Sequence, residues 1–401
     1  MKVFVGIDMS SESHCIHIMD ENENKIKSFE ISNDWDGFEE LNNNLKQYDV
    51  VYIGLEKGHG LIVEYLQGKN YLLYSINPKI IKRFKETRWV SGPKDDSKDS
   101  ESIASFLRLN YERLRPLYFD SPEVELAIDL CEVYNRLTEN KVELINRLRY
   151  VLESYFPLYL ILFSSLDSLN LWKMIQKYPR WGILKQASQE EIVTLLNQNN
   201  YTNRKNIQKL LDKVNNYKHC VQPETERALS IEARLIVEEL LILHNSFNEI
   251  EKEMAQILDN HKLGKVFLSI PGCGITTATH ILALFGNNPG KFKTASEAQS
   301  YFGTAPYLFQ SGKYSKVMMR RACNKMGRRT FYNLAFSCLR FCNWARAYYD
   351  LQRSRGKKHS VALRALSNKW VKIVFAMWKS GKAYDPHEIK FEQELVQTKI
   401  A

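Results

Sequence analysis

The hydrophobic period of this chain changes once, near Pro122, and that change limits the fold more than any other feature of the sequence. Before it, short apolar runs suited to strands alternate with helical patterns. Lys2–Ile7, His14–Met19 and Lys25–Ile31 read as three successive strands, with Ser10, Ser11, Asn22 and Asn24 as turn residues between them. Trp35–Leu45 reads as a helix, and Val50–Leu55 is an unbroken apolar run suited to a buried strand. A helix over Leu61–Leu66, a strand over Tyr71–Ile76 and two further helices follow. The first 110 residues therefore predict a mixed α/β domain.

From Pro122 onward the pattern is helical. Leu130, Leu137, Leu144 and Val151 recur every seven residues, with Tyr134, Lys141, Leu148 and Tyr155 as a second seam. A cleaner heptad carries Leu229, Ile236, Leu243, Ile250 and Ile257, interleaved with Ala233, Leu240, Phe247 and Met254. A period of 3.5 held this long predicts a coiled coil, within the chain or between chains. Shorter helices broken by Pro179 and Gly182 lie between the two heptad runs, and Pro223 opens the second long helix. A mostly helical final third begins at Lys262, with loops at Pro271–Gly274, Gly286–Gly290 and Gly303–Gly312, and a patternless tail follows Asp385. The 401 residues suffice for two or three domains.

Charge is distributed unevenly. Residues 262–384 hold 22 Lys and Arg against two acids, Glu297 and Asp350, a net of +20, whereas the rest of the chain is net −10. An acidic body joined to a basic third is the electrostatic footprint of a polyanion binder. No apolar run approaches the roughly 18 residues that span a bilayer, so no membrane partner is expected. The N-terminus opens directly on a strand without a signal peptide. Seven scattered cysteines without a C-x-x-C pair suit a reducing cytoplasm, and Cys338 and Cys342, at helical spacing, suit a buried face.

Carboxylates cluster in the first domain. Asp8 ends the strand Phe4-Val5-Gly6-Ile7-Asp8, and Glu56 ends Tyr52-Ile53-Gly54-Leu55-Glu56, at the C-terminal strand ends where open α/β sheets carry their sites. Asp96 and Asp99 open the last helix and share one face at i and i+3. Singly, Asp96 reads as a helix cap, Asp99 as a first-turn acid, Asp8 as a turn residue and Glu56 as a surface acid. Together they suit a pair of Mg²⁺ or Mn²⁺ ions in phosphodiester chemistry, and without cations they would repel one another.

In the basic third, Ser269-Ile270-Pro271-Gly272-Cys273-Gly274-Ile275 has the form of a helix-hairpin-helix, whose exposed backbone N–H groups grip phosphate without reading bases. Gly272 and Gly274 are its candidate contacts. Further on, Gly303-x-x-Pro306-x-x-x-Gln310-Ser311-Gly312 precedes Lys313, Lys316, Arg320, Arg321, Lys325, Arg328 and Arg329, the candidate nucleic-acid surface. The aromatics Trp344, Tyr348, Tyr349 and Trp370, beside the run Arg353-Ser354-Arg355-Gly356-Lys357-Lys358-His359, suit base stacking or core packing.

These motifs, in this order, resemble the IS110-type insertion-sequence transposases. Asp8, Glu56 in Glu-Lys-Gly, Asn77-Pro78 and Lys94-x-Asp96-x-x-Asp99 are similar to the family's DEDD, RuvC-like domain through most of residues 1–155; I-P-G-x-G, G-x-x-P and S-G over about residues 262–345 are similar to its C-terminal transposase domain. The chain departs from the pattern at Lys57, Asp95 and Ser100; of the adjacent acids, Asp96 has the family spacing to Asp99. Strand order alone allows an RNase H-like or a flavodoxin-like sheet; the resemblance implies the former.

It also implies Asp8, Glu56, Asp96 and Asp99 as metal-binding catalytic residues and Ser311 as a nucleophile that conserves bond energy in a phosphoserine ester. Donor and target double-stranded DNA, a structured guide RNA and a homo-oligomer (dimer or tetramer), with the two sites brought together from different protomers, come with it. The expected domains are 1–115 (RuvC-like), 116–261 (helical coiled coil), 262–384 (basic, serine-bearing) and 385–401 (tail). Three other classes stay open. A junction-resolving nuclease would use the acids with water, a DNA-binding scaffold would use neither site, and a sugar-kinase-like ATPase lacks its second phosphate loop here.

Overall fold

The computed structural model describes residues 1–88, 96–312 and 314–388. It divides into two compact units, Met1–Phe119 and the chain from Asp120 onward.

The first unit runs β1 (Lys2–Met9), β2 (Ser13–Met19), β3 (Lys25–Ser32), α1 (Trp35–Leu45), β4 (Val50–Leu55), α2 (Leu61–Leu66), β5 (Leu72–Ser75), α3 (Pro78–Arg88) and α4 (Asp96–Asn110). The sheet order is β3-β2-β1-β4-β5. β2 is antiparallel to β1 and to β3, whereas β4 is parallel to β1 and to β5. Tight turns cause the reversals: the Asp20 carboxylate accepts the backbone N–H groups of Asn22 and Asn24, both at 2.8 Å. An antiparallel β1–β2–β3 meander excludes the all-parallel flavodoxin-like sheet. The mixed sheet agrees with the RNase H-like expectation at the level of strand order and direction.

Side-chain alternation divides the sheet into two faces. Val3, Val5, Ile7, Val51, Ile53 and Leu55 join α1 and α2 in one core, and Phe4 joins α3 and α4 in the other. Gly6 makes the second face work. A methyl group there would run into the backbone oxygen of Ser100 and come within 2.6 Å of the Ala104 nitrogen, so only glycine lets α4 lie this close. At the far end of α4, the Tyr111 hydroxyl accepts from Lys2 Nζ at 3.0 Å. α4 therefore runs antiparallel to β1, with its N-terminus over the C-terminal end of the sheet.

The second unit opens with α5 (Pro122–Tyr155), continues through α6 (Leu158–Leu162), α7 (Leu169–Lys177), α8 (Trp181–Gln186), α9 (Gln189–Gln198) and α10 (Arg204–Asn215), and returns on α11 (Pro223–Asn260). The two long helices are antiparallel partners within the chain. Tyr134 meets Phe247 at 4.8 Å and donates to Glu251 at 3.2 Å, while Arg147 reaches Glu232 at 2.8 Å. Ala233, Ile236, Leu240, Phe247, Ile250, Met254 and Ile257 are buried as the heptads predict. Their burial is satisfied inside one chain, the first of the two arrangements that the heptads allow. Each end of the helix pair enters its own core: one formed with α6–α10, the other with the C-terminal helices.

That last region holds α12 (Gly264–Leu268), α13 (Ile275–Phe285), α14 (Ala295–Tyr301), β6 (Tyr307–Ser311), β7 (Tyr314–Met318), α15 (Lys325–Cys338), α16 (Asn343–Ser354) and α17 (His359–Ser380). The expected loop ending at Gly312 is in part an antiparallel hairpin, β6–β7, with Ser311 opposite Tyr314. The signal was Gly312 itself, whose φ of +57° suits a tight hairpin turn. Trp344 and Trp370 are buried, so the stacking role allowed for them gives way to core packing, while Tyr348 and Tyr349 pack against the same core. Cys338 and Cys342 are buried as expected, and Cys273 is buried too. Among the described residues no helix is long and apolar enough to cross a membrane.

Candidate active site and nucleic-acid interface

Parallel register brings the acids of the first unit together at one end of the sheet. Gly6 pairs with Gly54 and Ile7 with Leu55, so Asp8 and Glu56 are the next residues along adjacent strands. Both belong to the face that carries Phe4, Gly6 and Gly54, the face covered by α4. Asp99 lies one residue before Ser100, whose backbone oxygen sits over Gly6. Thus Asp8, Glu56 and Asp99 share one face and one end of the sheet, each half-buried. Asp95 and the Asp96 side chain lie outside the described residues.

The arrangement is not a closed ligand set. Among the described residues, no group of three or more His, Cys, Asp or Glu side chains is assembled to hold a metal ion. Instead Asp99 forms an ion pair with Lys85 on α3. A lysine ammonium here supplies the positive charge that a carboxylate cluster requires. The donor set, all carboxylate oxygen, is that of hard cations such as Mg²⁺. Lys85 was not foreseen. Its signal was the basic run Pro78-Lys79-Ile80-Ile81-Lys82-Arg83-Phe84-Lys85 in an otherwise acidic body, and Lys82 and Arg83 on that helix are exposed.

Ser311 is set in a different environment. It ends β6 at the tip of a ribbon whose ten strand residues are exposed, apart from half-buried Met318. Leu308 is 59% exposed on one face and Phe309 47% on the other, so neither face of the ribbon is packed into its own unit. Phe309 and Tyr314 flank the serine, their rings 6.4 Å apart. Lys316, Arg321, Lys325 and Arg329 are exposed nearby in sequence. Arg320 and Arg328 are half-buried, and Arg328 donates to the Arg320 carbonyl at 3.3 Å. Arg329 is committed to Glu139 at 3.2 Å and to Asn135 at 3.4 Å. Lys313 lies outside the described residues.

The glycine turn has the expected form. Gly272 adopts φ +79°, and Gly274 opens α13 without a side-chain cap, with open space beside it. The turn is tied down from below, because the Cys338 thiol donates to the Pro271 carbonyl at 2.9 Å. Burial pushes the Cys273 thiol up to about 12, so it supplies no thiolate. His280, on α13, donates from Nδ1 to the Thr276 carbonyl at 2.7 Å and faces the Asn135 amide at 3.4 Å. Burial pulls its pKa below the ordinary histidine value, consistent with a neutral imidazole that fixes α13 against α5.

Two family models match this chain. A transposase model of the DEDD IS110 type matches residues 5–157, and the model of the Transposase IS116/IS110/IS902 family matches residues 264–350. The chain is 24% identical over 383 residues to the IS117 mini-circle protein of Streptomyces coelicolor, named as a putative transposase, with 92% of each chain covered. It is 29% identical over 298 residues to the insertion element IS110 protein of the same organism, covering 73% of this chain and 72% of the other. It is 25% identical over 302 residues to the insertion element IS900 protein of Mycobacterium paratuberculosis, covering 73% of each.

Proposed function

Since the chain belongs to the IS110 family of transposases, we propose that it moves an insertion element by metal-dependent cleavage and rejoining of DNA, with Ser311 as nucleophile. The observation that carries this reading is the gathering of Asp8, Glu56 and Asp99 at one end and one face of a rigid sheet. Asp8, Glu56, Asp99 and Asp96 would hold divalent cations, Mg²⁺ or Mn²⁺. When bound, these supply Lewis-acid stabilisation of charge on the phosphoryl and leaving oxygens. A cation held by Asp99 would take the place of its Lys85 partner in this reading.

The chemistry assigned to the protein is a transesterification. The Ser311 Oγ forms a bond to phosphorus, the bond from phosphorus to the sugar oxygen breaks, and that oxygen takes up a proton as the serine loses one. One phosphoester replaces another, so the reverse step rejoins DNA without an external energy source. Exposure of the whole ribbon supports this role, because a nucleophile that must reach a duplex backbone cannot sit in a packed core. The exposed cations Lys316, Arg321 and Lys325, with Lys313, Arg320, Arg328 and Arg329 nearby in sequence, and the Gly272–Gly274 turn grip phosphates. A structured guide RNA that pairs with donor and target, and a homo-oligomer in which sites of different copies act on one strand, complete the reading.

The test is denaturing electrophoresis of labelled DNA after reaction with wild type and Ser311→Ala. A slow, protease-sensitive species formed by wild type alone is expected. Free cleaved ends from both proteins would sink the serine and favour a water-using nuclease.

A further inference from the structure

Residues 156–222, between the two long helices, lie almost wholly outside both family matches. They carry nine Lys and Arg against four acids, a local net of +5 inside a body that is otherwise acidic. Within them α8, α9, α10 and the segment leading to α11 enclose a cavity of about 600 Å³. Its lining includes Trp181, Lys185, Gln189, Asn215, Tyr217 and His219.

We propose that this cavity binds one unpaired nucleotide of a single-stranded nucleic acid. Its aromatic wall is continuous: Trp181 lies 5.2 Å from Tyr217, and its ring is stacked with His219 at 6.3 Å and 28°. Ring faces of this kind take bases by stacking, whatever their identity. The exposed lysines Lys185 and Lys218 stand at the lining for the phosphate, and the Asn215 and Gln189 amides offer donors and acceptors to a base edge. The volume falls within the range of small-ligand sites.

The strongest pointer to a ligand is His219. Its side chain is only 10% exposed, yet neither ring nitrogen has a hydrogen-bond partner among the described residues. Nε2 lies 3.3 Å from Glu226 Oε1, close enough for an ion pair but off the hydrogen-bonding line. That same oxygen already accepts the Trp181 backbone N–H at 2.7 Å. A buried imidazole whose nitrogens make no hydrogen bond costs its lost hydration, and a base edge in the cavity would restore it. An intact duplex keeps its bases stacked and would have to flip one out. An acidic peptide would use the lysines but leave the rings and the imidazole idle.

The test uses the full chain and short oligonucleotides carrying one photoreactive uracil, as single-stranded RNA, single-stranded DNA or duplex DNA, with crosslinks mapped by mass spectrometry. Crosslinks at Trp181 or between Tyr217 and His219 are expected with single strands. Their yield should drop about tenfold in the duplex, and about tenfold in the Lys185→Ala/Lys218→Ala double variant, whose replaced side chains are exposed. The better of the RNA and DNA arms identifies the source of the nucleotide. Crosslinks confined to residues 262–384, equal yields with duplex, or an unchanged yield in the double variant would overturn the proposal. Ser311 adduct formation is read on duplex substrate by electrophoresis, so either proposal can fail without the other.

Discussion

The acidic site and the serine are built on opposite kinds of support. Asp8 and Glu56 extend from β1 and β4, adjacent inner strands with apolar cores on both faces, and α4 is held over them by the bare Gly6. Ser311 stands on a two-stranded ribbon that buries almost nothing. Metal ligands must be pre-positioned to within fractions of an ångström by a rigid frame. A nucleophile that meets a large substrate must instead be reachable, and its geometry is completed by what docks on it. The contrast implies that substitutions near the carboxylates act through the fold as well as the chemistry, whereas those on the ribbon act through chemistry and docking alone.

The sharpest test of that contrast is Ser311→Ala, which should lower recombination by about 10⁴-fold or more without changing thermal unfolding, because the hydroxyl is exposed and unpacked. Loss of folding in this variant would mean that the ribbon is structural. Asp8→Ala should cost about 10²-fold at least in strand cleavage, while DNA binding survives. Normal recombination by this variant in Mg²⁺ would remove the acidic site from the mechanism. Gly6→Val should act through the fold, destabilising the first unit by about 1–3 kcal/mol or more as α4 is pushed off the sheet. Thermal unfolding by circular dichroism, compared with wild type, checks it, and an unchanged Tm would show that α4 packs elsewhere.

Smaller effects separate the cations. Replacing exposed Lys316, Arg321 and Lys325 by alanine should flatten the log–log salt dependence of DNA binding by about 0.9 for each phosphate left without its cation. Arg329→Ala should change it less, because Arg329 is shared with Glu139 and Asn135. A larger change for Arg329 would mean that this pairing gives way to DNA. The smallest expected effect is on pH. Burial lowers the pKa values of His14 and His17 in the first unit and of His261 and His280 in the second. Their neutral forms therefore stabilise the fold above the ordinary histidine value of about 6.5, and this contribution is lost as pH falls through the lowered values. Tm should drop by a few degrees between neutral and mildly acidic buffer, and a rising Tm would contradict it.

Much of this was legible in the chain. The strands, the long helices and their prolines, and the glycine turn follow from local rules: period two, period 3.5, and backbone freedom at Gly272. Asp8 and Glu56 stood out because each ends an apolar run. Lys85 did not, since nothing local ties a lysine on one helix to an aspartate on the next. The hairpin was missed because its ribbon lacks a buried face, so the alternation that reveals strands was never imposed on it.

What the sequence determined by itself is the kind of element wherever a face is buried, the separation of acidic from basic regions, and which carboxylates sit at strand ends, because these depend on neighbours along the chain. Tertiary structure alone decided three things: that β4 lies parallel beside β1, that the heptad seams of α5 and α11 satisfy each other, and that Lys85 neutralises Asp99. Each depends on groups distant in sequence, whose meeting is selected by burial of a whole face rather than by any local preference.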